Sequence, residues 1–127
     1  MLKEISSILS QDLYKAYTQI KRDYESRGYY LSRREICLLI SQSPAPRFYI
    51  TPSTALRRIV TPLEYGRALP SRGQRNKMHR EIYERYIKLR PTFGRDIAIQ
   101  QAINQPAPSW YLSSRHINKL LYDAVHI

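Results

Sequence analysis

Short runs of arginine, asparagine and lysine can read the edges of bases when a helix carries them into a groove, and this chain offers two such runs. Arg57 and Arg58 follow Ser53 and Thr54, and Asn118 and Lys119 follow Arg115 and His116. A guanidinium grips guanine through two hydrogen bonds, and a carboxamide does the same for adenine. The bland reading of both runs is a solvated polar face. Between them, Arg67, Arg72, Arg75, Lys77 and Arg80 occur without one intervening acid. Such a stretch follows phosphates and gains affinity by releasing counterions, or else it is a solvated linker. Arg47 stands beside Phe48 and Tyr49, where a cation and aromatic rings could together stack unpaired bases.

Catalytic chemistry has little to work with. His79, His116 and His126 share no metal-ligand spacing with Cys37 or with one another. Glu81 and Glu84 sit on one helical turn amid arginines and read as ordinary ion pairing. No glycine-rich phosphate loop and no nucleophile elbow occurs. The expectation is a protein that is not an enzyme and uses no metal or cofactor.

Composition agrees with a polyanionic partner. The 127 residues carry 21 basic and 10 acidic side chains, a net charge of +11, and 15 of the basic residues are arginine. That excess adds self-repulsion to a small fold unless something negative binds it. Apolar residues at 43% allow a modest core. No apolar run approaches the ~18 residues of a membrane span, and no signal-type apolar segment follows Met1. The single cysteine, Cys37, fits a reducing compartment. The expected location is therefore cytoplasmic, in a host cell or in a virion, with no membrane partner.

The elements that would position these residues are helices. Leu2, Ile5, Ile8, Leu9, Leu13, Tyr17, Ile20 and Tyr24 recur in steps of three and four, which predicts a long helix over Leu2–Arg27, with a possible restart near Ser10 and Gly28 as its cap. Ser32-Arg33-Arg34-Glu35 has capping-box spacing and opens a short helix to about Ser41. Thr51-Pro52 starts a third helix, with Ala55, Leu56 and Ile59 on one face and Pro62 as its expected stop. Tyr65 to Lys77 reads as a linker, and a fourth helix is expected from about Gln74 to Leu89. The tyrosines at 14, 17, 24, 83, 86 and 122 mostly extend helical stripes, as core and interhelix filler.

The second half then repeats the first. Gln42–Ile50 matches Asn104–Leu112 at an offset of 62, Tyr24 matches Tyr86, and Arg34-Glu35-Ile36 aligns with Arg95-Asp96-Ile97 at 61. The unit is long helix, short helix, Pro-Ala-Pro-x-aromatic-Tyr-aliphatic, short helix, used twice. In each copy the prolines set an extended approach, and Phe48 or Trp110 then anchors the segment in the core while Tyr49 or Tyr111 points away. This order predicts an all-α fold of two pseudo-symmetric, helix-turn-helix-like three-helix repeats, 1–63 and 78–127, joined by a basic linker, 64–77. About nine residues separate Gln42 from Thr51, against three or four in the usual turn.

The doubled element, most specific at Pro44–Tyr49, resembles one found in small basic proteins of Bacteroidales bacteria and of their phages and mobile elements. The likeness spans about two-thirds of the chain and implies a phage or mobile-element setting, but no mechanism. The second copy departs from it at Ser109 and Trp110, which bears against a ligand role shared with Arg47. The resulting expectation is a non-catalytic binder of nucleic acid, DNA before RNA. Arg57, Arg58, Arg115, Asn118 and Lys119 would face grooves, while Arg67, Arg72, Arg75 and Lys77 would hold phosphates. One alternative is a virion or assembly component that contacts genome or an acidic partner protein, with oligomers possible. Another, weaker one is single-strand or RNA binding through Tyr49 and Tyr111.

Overall fold

The computed structural model describes the backbone from Leu2 to Val125 and the side chains of residues 5–123. Among the described residues the chain is all-helical, with no strand. The order is α1 (Leu2–Ser26), α2 (Arg33–Ser41), α3 (Pro52–Ala55), a π-helical turn (Leu56–Val60), α4 (Thr61–Glu64), α5 (Gly73–Leu89), α6 (Arg95–Ile103) and α7 (Ser114–Val125). His126 lies outside the described residues.

Local chemistry sets the helix ends. α1 runs unbroken past Ser10 and stops where Gly28 takes a φ of 86°. There the Tyr29 N–H donates to the Tyr24 carbonyl (2.8 Å) and the Gly28 N–H to that of Glu25 (3.0 Å), the paired bonds of a Schellman cap. The Tyr24 and Tyr29 rings meet edge to face across it, 6.5 Å apart. The capping box at Ser32 is complete: Ser32 Oγ accepts from the Glu35 N–H (3.1 Å), and the Ser32 N–H donates to Glu35 Oε1 (3.0 Å). These bonds favour the ionised Glu35 carboxylate and lower its pKa. Thr51 and Ser113, 62 apart, cap the following helices, accepting from the Thr54 and His116 N–H groups.

Pro62 does not stop the third helix. A proline inside a helix lacks a donor and collides with the carbonyl four residues back. The chain relieves this by widening one turn, so that the Thr61 N–H reaches the Leu56 carbonyl and α4 carries on through Pro62 to Glu64. The linker is also shorter than expected. α5 begins at Gly73, one residue before the expected start at Gln74, so Arg75 and Lys77, where the expected linker and helix overlapped, lie on the helix.

An offset of 62 relates α2 to α6, the strings that follow them and the caps at Thr51 and Ser113. α2 and α6 begin at Arg33 and Arg95, and buried Ile36, Cys37 and Ile40 correspond to buried Ala98, Ile99 and Ala102. The offset of 61 for Arg34-Glu35-Ile36 is therefore corrected, because Ile36 is buried while Ile97 is 46% exposed. From 42 to 49 each residue has the same burial class as its counterpart from 104 to 111. The copies part at Tyr111, whose φ is 55°. Ser109, standing where the first copy has Arg47, accepts from the Tyr111 N–H (2.9 Å), so the expected alternation of side chains fails there. Tyr14 and Tyr122 are also more than half exposed instead of filling the core.

The chain divides into two compact units, and they do not follow the 1–63, 64–77 and 78–127 blocks of the sequence. The central unit is Pro46–Ala107; the terminal unit joins Leu2–Ala45 to the stretch from Pro108 onward. In the terminal unit α1 and α2 pack with each other and with α7. Its core includes Leu13, Ile36, Cys37, Ile40, Trp110, Ile117 and Leu121. In the central unit α5 packs on α6 and on the π turn, and α3 packs on α6. Here Phe48, Ala55, Ile59, Val60, Ile82, Tyr86, Ala98, Ile99, Ala102 and Ile103 are buried.

The terminal unit thus joins α1 and α2 to α7, and the central unit joins the stretch from α3 to α4 to α5 and α6. The crossings fall at Ala45–Pro46 and Ala107–Pro108, equivalent positions inside the two Pro-Ala-Pro strings. Each string lies outside helix, and a proline disfavours helical geometry in the residue before it, so neither α2 nor α6 continues through it. Equivalent arginines tie each arriving helix. Arg33 Nη2 donates to the Asn118 carbonyl (3.2 Å), and Arg95 Nη2 donates to Thr61 Oγ1 (2.8 Å).

A cut between α4 and α5 is therefore expected to leave the protein whole, since each unit holds helices from both fragments. A protease site introduced within residues 67–72, followed by size exclusion of the nicked protein, checks this. Elution as two separate folded fragments would mean that each repeat folds by itself.

Candidate nucleic-acid interface

Charge is not shared evenly between the units. Residues 46–107 carry 12 basic and 4 acidic side chains, a net +8, whereas the terminal unit carries 9 and 6, a net +3. Two of the four central acids are turned to structural work. Glu81 pairs with Arg85 (3.1 Å), while Glu64 pairs with Arg95 (3.5 Å) and accepts from the Tyr86 hydroxyl (3.2 Å). The outer basic residues face water with little acid among them.

The π turn and the start of α5 organise this face. Ala55, Ile59 and Val60 are buried, which leaves Arg57 and Arg58 of the same helix exposed. α5 packs against that turn; Arg72 precedes the helix, and Arg75, Lys77 and Arg80 lie on it, all exposed. No side chain caps α5 and no acid lies in its first turn, so the positive end of the helix dipole adds to the same field.

Beneath this face lies His79, 2% exposed, with Ser71 Oγ 2.9 Å from its Nδ1. Burial, together with the charges of Arg75 and Arg58, pushes His79 down to about 4, so the imidazole is neutral at pH 7. Asn76 Nδ2 donates to the Ser71 carbonyl (2.9 Å) and braces the approach to α5.

The remaining expected site residues are dispersed. Arg47 is half-buried; its Nε donates to the Phe48 carbonyl (3.3 Å) and its guanidinium lies 5.9 Å from the Tyr49 ring. Arg67 is exposed, 5.8 Å from the Tyr65 ring. Arg115, His116, Asn118 and Lys119 form the exposed face of α7, opposite buried Ile117 and Leu121, but they belong to the terminal unit. Thr54 turns inward to Thr51 Oγ1 (2.8 Å) and Ser53 is exposed. Arg57 and Arg58 thus share a unit with Arg72, Arg75 and Lys77, and Asn118 does not.

Sequence reasoning missed two groups. The pairing of His79 with Ser71 had no motif to announce it. Nor did Arg85, whose Nη1 donates to the Pro106 carbonyl (2.6 Å) and to Gln105 Oε1 (3.2 Å) while its guanidinium covers the Phe48 ring at 5.0 Å. Arg33 and Arg95 did leave a signal, each following a cap position at the common offset. Among the described residues no helix is long and apolar enough to cross a membrane. Comparison with family models, with curated proteins and with solved structures yields no match.

Proposed function

We propose that the protein binds nucleic acid without catalysing a reaction, with duplex DNA as the first target, and that the central unit makes the main phosphate contacts. The observation that carries this reading is the net +8 on residues 46–107, with Arg57, Arg58, Arg72, Arg75 and Lys77 exposed around the π turn and the start of α5. Phosphates reward such a surface through counterion release. The common offset of 62 supports a pseudo-symmetric pair of helix-turn-helix-like units whose third helices are exchanged, with the exposed faces of α3 to α4 and of α7 as base readers. The likeness of Pro44–Tyr49 to phage and mobile-element proteins supports a setting in which DNA is the natural partner.

Salt dependence tests the reading. If about five phosphates are neutralised, log affinity for a short duplex falls against log salt with a slope near −4.5. Arg72→Glu with Arg75→Glu weakens all sequences alike, because phosphate contacts carry no base information. Arg57→Ala with Asn118→Ala instead flattens preference among sequences. A second reading, a virion or assembly component, draws on the exposed rings of Tyr30 (81%), Tyr65 (72%) and Tyr29 (61%), a residue type enriched where proteins meet. Absence of binding to DNA and RNA at low salt would put that reading first.

A further inference from the structure

The chain leaving α4 is pinned where a loose linker would be expected. The Gly66 N–H donates to the Leu63 carbonyl (3.1 Å) and the Arg67 N–H to that of Pro62 (2.8 Å), with Gly66 at a φ of 69°. These are the paired bonds of a Schellman cap. The Tyr65 N–H also reaches the Thr61 carbonyl (3.2 Å). Three consecutive residues are thus tied to the helix, yet Tyr65 is 72% exposed and the Arg67 guanidinium lies 5.8 Å from its ring. Arginines beside other rings are committed elsewhere. Arg47 gives its Nε to the Phe48 carbonyl, and both it and Tyr49 are half-buried. Arg27 gives its Nε to the Asp23 carbonyl and lies over Tyr24, a half-buried ring that also meets Tyr29. Arg85 is bonded to Glu81, Gln105 and Pro106 above the buried Phe48. Of these pairs, Tyr65 and Arg67 are the one exposed on both sides. From Tyr65 to Arg80 the chain carries no acid.

We propose that Tyr65 and Arg67 form a seat for one unpaired nucleotide, its base stacked on the Tyr65 ring and its phosphate on the Arg67 guanidinium. The proposal rests on the nucleic-acid reading above and adds a class of target, a duplex that ends in an unpaired stretch. Every base has a flat π face, so one ring accepts any of them. A guanidinium beside the ring meets the charge that each nucleotide brings with its base. Pinning matters because a tyrosine already held in place loses little freedom when a base covers it. The end of a helix would otherwise repel a phosphate. Here the cap occupies the Pro62 and Leu63 carbonyls, and Glu64, the adjacent acid, is engaged with Arg95 and the Tyr86 hydroxyl. Acidic side chains of a protein would satisfy Arg67 but leave the ring uncovered, whereas a nucleotide supplies both groups in one unit.

The test is fluorescence anisotropy of labelled DNA titrated with the full chain. The probes are a blunt duplex, the same duplex with a short overhang, and that overhang built from abasic sites, which keep every phosphate and lack the bases. Wild type is expected to bind the overhang more tightly than its abasic form by about 5- to 150-fold, the worth of one stacked base. Tyr65→Leu is expected to abolish that difference at an unchanged salt slope, while Tyr65→Phe, which keeps the π face, retains it. Tyr30→Leu, which removes an exposed ring of the terminal unit, should retain it too. Arg67→Gln should reduce the salt slope on the overhang by about 0.7. Equal affinity of wild type for the overhang and its abasic form, or a preference that survives Tyr65→Leu, overturns the seat. If the blunt duplex still binds in that case, the wider nucleic-acid reading stands. Absence of binding to every probe at low salt brings down that reading and the seat with it.

Discussion

Phe48→Ala is expected to destabilise the central unit by about 3–5 kcal/mol, the usual cost of emptying a fully buried aromatic site. Phe48 is 1% exposed and is the third residue beyond the crossing at Ala45. Its N–H donates to the Ile103 carbonyl (3.0 Å) at the end of α6, and Arg85 lies over its ring. The side chain therefore fastens the arriving segment to the helix it joins. Trp110, 5% exposed and equally placed after Ala107, should cost as much when truncated, but in the terminal unit. The two losses can be separated because Trp110 is the sole tryptophan and its fluorescence reports the terminal unit. Denaturant unfolding of Phe48→Ala, followed by fluorescence and by hydrogen exchange in α5 and α6, checks the assignment. A loss of ~0.5 kcal/mol or less would mean that the ring does not carry the crossing, and would revive base stacking as its role.

Stability is also expected to fall as the pH drops from about 6.5 to about 4, by roughly 3 kcal/mol from one residue. His79 has a folded pKa depressed from 6.5 to about 4, first by burial and then by Arg75 and Arg58. An unfolded chain takes up the proton near 6.5, whereas the folded chain resists until about 4. The contribution is thus whole above 6.5 and is lost progressively as the pH falls towards 4. His79→Gln should remove this limb of the pH profile, while retaining a polar group for Ser71. Urea unfolding at half-unit steps of pH, in wild type and variant, would expose the difference. A variant that keeps the same slope between pH 6.5 and 4 would show that other groups carry it.

The legible parts of this protein are those settled by near neighbours. The capping box at Ser32, the caps at Thr51 and Gly28, and the burial of Phe48 and Trp110 all follow from the chemistry of a few adjacent residues. The doubled Pro-Ala-Pro string was equally plain, and it marked the places where the chain changes unit. Pro62 misled because a proline normally ends a helix, and only the packing of Ile59 and Val60 makes a widened turn worth forming. The offset of 61 misled because Ile36 and Ile97 are alike as letters, whereas their burial differs.

By itself the sequence determined an all-helical chain, its main helix boundaries, its anchoring aromatics and the excess of positive charge. Tertiary structure alone decided which helices share a core. It placed α7 with α1 and α2, placed the stretch from α3 to α4 with α5 and α6, and left Arg115, Asn118 and Lys119 in a different unit from Arg57 and Arg58. The physical reason is range. Capping bonds and helical stripes act within a few residues, whereas the choice between two similar apolar faces depends on side chains some 60 positions away.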